Sequence, residues 1–445
     1  MSNCFLKEKC LDQYFLLIFF FCSLYTSETF SQIELNDLNY GSYQTSSSDN
    51  YPTIHFDNFK SKQTAKLDNS GIIQLIQQNY PAGVTIQFSD QIYEFQKPII
   101  TRSNLILRGE GKKTVFKFTM DKPQHLIQIR GHLATTKLPI KPAIEHTISY
   151  SLTHQIKAKI DTTKCWIYVR PDDEKYVFSD WAKGCSGQII SATYKDGTFY
   201  LDQPILERIL KSVESIQPFD MIGNVGIENM TIINNSPAAN PQERFSNILL
   251  EFAQNCWIYD VQSEWCNYAH VQVDKSTHCS VRRLQAKNAF NHGSGGVGYG
   301  VVLQYAASQN LVDSCTFDSL RHAMLLQIGA KFNKLDANTS THPFWTGNFY
   351  RKNRASDITF HGNYPEFNLI TNNIVNTIAF DRSHGLNGPH NSILNNRITA
   401  YGIFISRKSS EDGQLIENNV ICKKGRLKSR GNHLIRGNRK VKCTN

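Results

Sequence analysis

Ionisable side chains recur in three successive stretches between residues 321 and 407. The stretches read RHAMLLQIG, SDITFHG and FDRSHGLNG, and the segment YGIFISR follows them. Their candidate functional residues are Arg321, His322, Asp357, His361, Asp381, Arg382, His384 and Arg407. Histidine exchanges protons near neutral pH, because its ordinary pKa is about 6.5, and arginine binds a carboxylate through two parallel hydrogen bonds. This combination indicates acid–base chemistry on an acidic substrate.

Cleavage of a uronate-containing polysaccharide by β-elimination needs a cation, a base and an acid. The cation neutralises the sugar carboxylate, the base removes the proton next to it, and the acid protonates the leaving oxygen. The candidate cations are Arg321, Arg382 and Arg407, and the candidate bases are His322, His361 and His384. Tyr299 is the candidate acid, and either Asp381 or Asp357 could orient a histidine and fix its tautomer. A polysaccharide lyase acting on an acidic polysaccharide is the reaction that we expect.

Two other functions stay open for the same residues. A glycoside hydrolase commonly needs two carboxylates about 5–9.5 Å apart, and Asp357 with Asp381 could supply them. A non-catalytic carbohydrate-binding protein, such as a tail-spike-like adhesin, would use the same surface without a reaction. The combination of His, Arg and Asp favours an enzyme, because a binding protein would tolerate the loss of any one histidine.

The second half of the chain repeats. Equivalent segments start with NVGIENMTI and end with QLIENNVIC, with anchors at residues 224, 255, 278, 310, 333, 368, 391 and 414. Most steps between anchors are 23 residues, and the others are 31 to 35 residues long. Short apolar strands and Asn-rich turns at a fixed period predict a parallel β-helix, in which each coil buries its apolar face against its neighbours. We expect an all-β, right-handed, single-stranded solenoid.

The longer steps place extra residues at one position of the coil. The insertions are SPAANPQERFS at 236–246, FNHGSGGVG at 290–298 and THPFWTGNFYRKN at 341–353. Insertions at equivalent positions stack along one side of a solenoid and often border its binding face. We therefore expect His292, Trp345 and Tyr364 to contribute to substrate binding beside the ionisable residues.

Two sets of residues occupy equal positions when they are counted back from the next anchor. Eleven positions before it lie Tyr299, His322 and Asp357, and seven positions before it lie His361, His384 and Arg407. Alternate residues of a strand share a face, so both sets should point outward and Val302 and Leu325 should point inward. One coil departs from this register, because IAFDRSHG places Phe380 on the outward set. A bulge would turn Asp381 outward, and Asp381 and Arg382 are alternatives for one role.

The opening of the chain resembles a known superfamily. A predicted helix through Gln78 is followed by PAGVTIQF, IYEFQKPI and SNLILRGEGKKT, and this order is similar to the start of pectate-lyase-like, rhamnogalacturonase- and epimerase-like β-helix proteins. The resemblance implies a β-helix with an N-terminal capping helix and a polysaccharide substrate. The NTD, DD and GHG motifs of its hydrolases and the DPHD motif of its epimerases have no full counterpart on the predicted face. A Ca²⁺ ion, as in pectate lyases, is possible in principle, but we expect no cofactor and no metal site.

The ends of the chain predict an exported protein. Lys7 and Lys9 precede the apolar run YFLLIFFFCSLY, which indicates a signal peptide over residues 1–31 and a secreted, periplasmic or extracellular location. Residues 32–60 are polar and are expected to form a disordered lead-in. The β-helix should span 61–445, with regular coils over 224–443 and an irregular β-rich insertion over 130–222.

Composition narrows the range of partners. The formal net charge of +10 fits an anionic partner, and nine lysines and arginines crowd together between residues 423 and 442. We interpret that run as a solvated basic end coil. No nucleic-acid-binding motif and no further membrane-spanning segment are present, so nucleic acid and membrane are not expected partners. Eight cysteines follow the predicted signal, and their pairing and the oligomeric state stay open.

Overall fold

The computed structural model describes residues 40–41, 51–60, 66–133, 138–139, 147–149, 163–195, 198–238, 243–293, 296–345, 356–406 and 408–443. The predicted signal peptide at 1–31 and the candidate Arg407 lie outside these residues. Within them, no helix is both long enough and apolar enough to cross a membrane. The chain is nearly all-β, and its main sheet has 29 strands that pair in parallel over successive coils.

Seven strands and two helices form the N-terminal end of the described fold. The strands are β1 (Thr53–His55), β2 (Val84–Gln87), β3 (Ile92–Phe95), β4 (Ile99–Ile100), β5 (Leu105–Arg108), β6 (Val115–Phe118) and β7 (Ile127–Arg130). A 3₁₀ helix covers Phe56–Phe59, and helix α1 covers Asn69–Asn79. Ile72, Ile73 and Ile76 of α1 pack against the first coil, so the helix covers part of its apolar core. Because β1 pairs with β2, the solenoid begins before residue 61, where the sequence placed its start.

The described residues between His132 and Asp220 form a separate antiparallel sheet. Its strands are β8 (His132–Leu133), β9 (Leu138–Pro139), β10 (Thr147–Ser149), β11 (Thr163–Pro171), β12 (Gln188–Lys195), β13 (Thr198–Leu201) and β14 (Val213–Asp220). Short helices cover Asp180–Ala182 and, as α2, Glu207–Leu210. The sheet buries its own core, which includes Ile167, Val169, Ile190 and Ile216.

The remaining strands build the regular coils. They are β15 (Ile222–Gly223), β16 (Gly226–Asn234), β17 (Ile248–Glu251), β18 (Ala253–Gln254), β19 (Trp257–Cys266), β20 (Ala269–Asp274), β21 (Ser280–Arg282), β22 (Gln285–Ala289), β23 (Tyr299–Gln304), β24 (Leu311–Asp313), β25 (Thr316–Asp318), β26 (His322–Leu326), β27 (Lys334–Asp336), β28 (Thr339–Thr341), β29 (Ile358–Phe360), β30 (Leu369–Thr371), β31 (Ile374–Phe380), β32 (Ser392–Leu394), β33 (Arg397–Ile405), β34 (Leu415–Glu417), β35 (Val420–Cys422), β36 (Arg426–Ser429), β37 (Leu434–Arg436) and β38 (Arg439–Val441). β15 and β18 form a two-stranded parallel sheet of their own, and the pairings sort the other strands into three stacks, which are the three faces of a parallel β-helix. One of them, here called the groove stack, runs β4–β7–β17–β20–β23–β26–β29–β31–β33–β36.

Two ladders of buried asparagines fix the turns between the faces. One ladder is Asn310, Asn333, Asn368 and Asn391, and it continues to Gln414. The other is Asn338, Asn373, Asn396, Asn419 and Asn438. Each amide donates to the side-chain oxygen of the next coil, and that oxygen also accepts a backbone N–H. The Asn-rich turns that the repeat predicts are thus held by two side-chain ladders.

Removal of one ladder amide is expected to be costly. Asn368 is fully buried and donates to Ala330 O, Glu366 O and Asn391 Oδ1. Asn368→Ala removes these three side-chain hydrogen bonds and the oxygen that accepts from Asn333, so the free energy of unfolding should fall by about 2–4 kcal/mol. Thermal unfolding measures this loss, and Asn235→Ala, at an exposed asparagine, is the matched control. Equal unfolding temperatures for the two variants would contradict the ladder's role.

The predicted register is wrong by one residue in two coils of the groove stack. Val301 and Met324 face the main core, whereas Val302 and Leu325 pack outside it. The pairs Leu325↔Thr359 and Thr359↔Ala379 continue this outward row. The bulge expected near Asp381 lies a few residues earlier, where the pairing of β31 with β33 shifts between Val375 and Thr377. It lets Phe380 face inward and stack on Phe360, with ring centroids 4.0 Å apart.

Candidate functional site

A groove with a volume of about 1450 Å³ lies along the outer side of the groove stack. It extends from Tyr268 beside β20 to Lys428 in β36, which is six strand spacings or about 29 Å. Its lining includes the candidate residues Tyr299, Arg321, His322, Trp345, His361, Asp381, Arg382 and His384. The structure thus brings together eight of the twelve candidates.

His361 and Asp381 form a hydrogen-bonded pair on this surface. Phe360 is paired with Phe380, so the residues that follow them meet across neighbouring coils. His361 Nδ1 lies 2.5 Å from Asp381 Oδ2, and the histidine is 7% exposed. Because a carboxylate only accepts, Nδ1 carries the proton and donates it, which leaves the lone pair of Nε2 unprotonated in the neutral ring. His361 therefore has the arrangement of an oriented general base.

His322 has a fixed tautomer as well. Its Nδ1 lies 2.6 Å from the carbonyl oxygen of Ser356, which only accepts, so this nitrogen carries the proton. Burial, and then the charges of Arg321 and His361, lower the pKa of His322 to about 3. The imidazole is stacked on Tyr299, with ring centroids 5.3 Å apart. Burial also raises the pKa of Tyr299, so its phenol is protonated and can donate a proton.

His384 connects the groove to the antiparallel sheet. Its ring centroid lies 4.7 Å from that of His361, although the two residues occupy different positions in their coils. Ser179 Oγ is 3.0 Å from His384 Nδ1, and the Trp181 ring lies edge-on at 5.3 Å. Phe178 N donates to the carbonyl oxygen of His384, so the segment around the 3₁₀ helix Asp180–Ala182 forms one bank of the groove. Burial, and then the charge of His361, lower the pKa of His384 to about 4.

Arginines give this part of the groove a positive field. The Arg321 guanidinium lies 5.2 Å from the Trp345 ring and 5.6 Å from the Tyr299 ring, which holds it beside the histidines. Arg244 extends from the first loop insertion into the same groove. Both arginines lie close enough to His384 for their charges to lower its pKa. Arg382 is exposed and lies over the Phe178 ring at 5.2 Å.

Asp381 is the one carboxylate among the described residues that line the groove. Asp357 was expected to point outward, and that prediction is wrong. Its side chain is fully buried and accepts hydrogen bonds from Ser340 Oγ and from the backbone N–H groups of Asn376 and Thr377. Burial raises the pKa of Asp357 to about 6 although these donors lower it. Asp357 therefore stabilises the bulge in β31 and cannot pair with Asp381 across a substrate.

Two more candidates lie away from the groove. His292 Nε2 donates to the carbonyl oxygen of Ser319, and its ring packs against Phe344. Tyr364 is 5% exposed, and its ring lies 4.6 Å from that of Tyr176 and 4.4 Å from the Arg208 guanidinium. Neither residue lines the groove. Each residue instead holds a loop in place.

Several groove residues were not predicted from the sequence. They are Trp181, Arg244, Tyr268, Gln327, Lys424, Arg426 and Lys428. Arg426 and Lys428 alternate with the apolar Leu427, which is the pattern of a strand with one polar face. This pattern could have predicted that both cations project from the same side of a strand. The contact between Trp181 and His384 gave no signal, since it joins segments about 200 residues apart.

Within the described part of the chain, no group of three or more His, Cys, Asp or Glu side chains has a geometry that could hold a metal ion. His361, His384 and Asp381, which lie close together in the groove, form no such group. Cys256 and Cys279 are buried free thiols on adjacent coils, and Cys422 is joined to Cys443.

The pairing of Asp381 with His361 is expected to lose its stabilising effect in acid. Burial alone raises the pKa of Asp381, but the charge and the hydrogen bond of His361 outweigh it and give a pKa of about 2 in place of 3.8. Because the folded pKa lies below the unfolded one, the carboxylate stabilises the fold above pH about 4 and loses this effect as the pH falls towards 2. Asp381→Asn should thus lower the unfolding temperature at neutral pH and change it little near pH 2. A difference that stays constant over this range would contradict the pairing.

Comparisons with known proteins identify the fold. No protein-family model matches the chain, and no curated protein sequence matches it. The tailspike protein gp49 of Pseudomonas phage LKA1 is similar, with a TM-score of 0.51 and 14% identity over 84% of this chain and 67% of that one. Tailspike gp61 of Pseudomonas phage phi297 has a TM-score of 0.48 and 11% identity over 87% of this chain and 73% of that one. The tailspike of E. coli bacteriophage HK620, solved with a pentasaccharide, has a TM-score of 0.48 and 10% identity. The match covers 83% of this chain and 56% of that protein.

These matches do not test the pectate-lyase-like superfamily that the opening of the chain resembles. At such identities a structural match carries information on the fold and none on the reaction. The similarity to the LKA1 tailspike supports the assignment of this chain as a parallel β-helix.

Proposed function

We propose that the protein is a polysaccharide lyase that cleaves an acidic, uronate-containing polysaccharide by β-elimination. The observation that carries this proposal is the His361–Asp381 pair, an oriented base in a long groove whose other charged lining residues are cations. A hydrolase of the usual kind needs a second carboxylate near Asp381. The described lining offers none.

The reaction assigns one role to each side chain. Arg321 and Arg244 bind the sugar carboxylate and spread its charge, which makes the proton on the neighbouring carbon more acidic. His361 Nε2 removes that proton, and Asp381 stabilises the imidazolium that forms. The electron pair left on carbon becomes the double bond as the bond to the leaving oxygen breaks. Tyr299 donates its phenolic proton to that oxygen and regains one from solvent after the products leave.

His322 and His384 are positioning residues in this scheme. Both remain neutral over the physiological range, since their pKa values are about 3 and about 4. Neutral rings beside His361 add no charge that would oppose its protonation during the reaction. Trp181 beside His384 and Trp345 beside Arg321 offer apolar faces on which sugar rings can stack.

An absorbance assay tests the proposal. The purified protein is incubated with polygalacturonate, alginate and hyaluronan, and with dextran as the neutral control. The ultraviolet absorbance of the unsaturated uronate should rise for at least one acidic polymer and not for dextran. New reducing ends without this absorbance would assign the protein as a hydrolase. Binding without either product would assign it as a carbohydrate-binding protein.

A further inference from the structure

The basic run near the end of the chain lies partly inside the groove. Lys424, Arg426 and Lys428 line its C-terminal end, although the sequence suggested a solvated coil. Arg426 and Lys428 project outward from β36 because Leu427 between them packs on the core. All three cations are exposed, and none forms an ion pair with a carboxylate among the described residues. Here they are called the basic strip.

The basic strip is aligned with the catalytic cluster. Thr359 is paired with Ala379, Ala379 with Phe404, and Phe404 with Lys428, so one outward row connects the two regions. Three strand spacings separate Thr359 from Lys428, which is about 14 Å. The side chains of Tyr401 and Phe404 line the floor between them. A polysaccharide that occupies the histidine cluster and continues along this row therefore passes over aromatic rings and then reaches the cations.

The backbone beneath the strip is built for close packing. Gly402 has a φ of 121° and is paired with Arg426, and a Cβ atom at Gly402 would lie 1.9 Å from the carbonyl oxygen of Arg426. A side chain at this position would separate β33 from β36. The Cys422–Cys443 disulfide lies beside the strip and ties the end of the described chain to β35. The last coil is thus held where its cations face the groove.

We infer that the basic strip is a second anion-binding subsite, which binds an acidic group on a sugar several residues away from the bond that is cleaved. The inference rests on the proposed function, and it specifies a polymer that carries negative charge at more than one sugar. Such a subsite fixes the chain in the groove before His361 acts. It also makes long acidic chains better ligands than short ones.

Another explanation exists for cations at this place. β36 is the last strand of the groove stack among the described residues, and lysine or arginine on an edge strand hinders edge-to-edge association. That explanation predicts self-association, and no change in saccharide binding, when the cations are removed.

The test measures binding without catalysis. Lys424, Arg426 and Lys428 are changed together to Gln, and the control changes Arg439, Lys440 and Lys442, which lie outside the groove lining, to Gln. Both proteins lose three positive charges. Affinity electrophoresis through gels with polygalacturonate, alginate, hyaluronan or dextran then gives the dissociation constants. The best acidic polymer should bind the strip variant about tenfold more weakly and with a smaller salt dependence, and the control almost unchanged.

Chain length gives a second readout. Binding of an eight-sugar acidic oligomer should weaken in the strip variant, whereas binding of a disaccharide, which is too short to reach the strip, should not. Lys424→Gln alone should weaken binding of the eight-sugar oligomer by a smaller factor. This single variant provides the test if the triple variant folds poorly.

Three results would overturn the subsite. The first is an equal loss of polymer affinity in the strip and control variants. The second is self-association of the strip variant with unchanged polymer binding. The third is that no acidic polymer retards the wild-type protein in the gel. A strip variant that loses binding while the wild type yields no unsaturated product would uphold the subsite and reject the lyase reaction. The two proposals can therefore fail separately.

Discussion

His361→Ala is expected to lower kcat/KM on the acidic polymer by about a thousandfold, because a positioned general base contributes about 10²–10⁴ to such a reaction. The loss should be in kcat, since His361 contacts the reacting proton and the arginines hold the carboxylate. Initial rates of ultraviolet absorbance measure it. The unfolding temperature at neutral pH should fall by about as much as in Asp381→Asn, because both variants remove the same hydrogen-bonded pair.

His342 provides the matched control for this variant. It also pairs with an aspartate, with Nδ1 2.6 Å from Asp318 Oδ1, but it is exposed and lies outside the groove lining. His342→Asn is the suitable exchange, because the φ of 48° at this residue suits Asn better than Ala. This variant should retain full activity. Equal losses in the two variants would show that His361 acts through the fold.

Asp381→Asn is expected to have an effect of similar size, about a hundredfold to ten-thousandfold in kcat. The amide no longer supplies a charged acceptor for His361 Nδ1, so the tautomer is not fixed and the imidazolium is not stabilised. KM should change little, because Asp381 does not contact the carboxylate of the sugar in this scheme. Steady-state kinetics on the polymer separate the two parameters.

Two further variants identify how Asp381 acts. Asp381→Glu keeps the charge and should recover part of the lost kcat, whereas Asp318→Asn, at the exposed His342 pair, should have no effect. A variant Asp381→Asn that raises KM and leaves kcat unchanged would contradict the role in proton transfer. It would indicate a residue that shapes the substrate-binding surface.

The sequence predicted the coils well because their signal is local and repeated. Each ladder asparagine, such as Asn368, recurs at an equivalent position of the coil, and its burial leaves little freedom for substitution. The register of the groove stack was harder to predict. Val302 and Leu325 are apolar but lie outside the main core, where Tyr268 and Tyr299 cover them. Alternation of apolar residues cannot distinguish such an outer cluster from the inner one.

The candidate site was predictable only where it follows the repeat. His361 and Asp381 could be brought together because they lie on consecutive coils. Counting along the repeat placed Asp357 level with His322, but the pairing of Met324 with Ile358 puts it opposite Ala323. Its carboxylate turns inward to bind the backbone of the bulge, which depends on a local irregularity. Trp181 comes from the antiparallel sheet, and its contact with His384 is set by tertiary packing that no local pattern encodes.

The chemistry of bond cleavage is the most direct test of the proposed function. The protein is incubated with its best acidic polymer in water labelled with heavy oxygen, and the masses of the oligosaccharide products are measured. β-Elimination predicts products with a double bond that contain no oxygen from the solvent. Products that have gained one labelled oxygen at the new reducing end would show hydrolysis and would contradict the role of His361 as the base of a lyase.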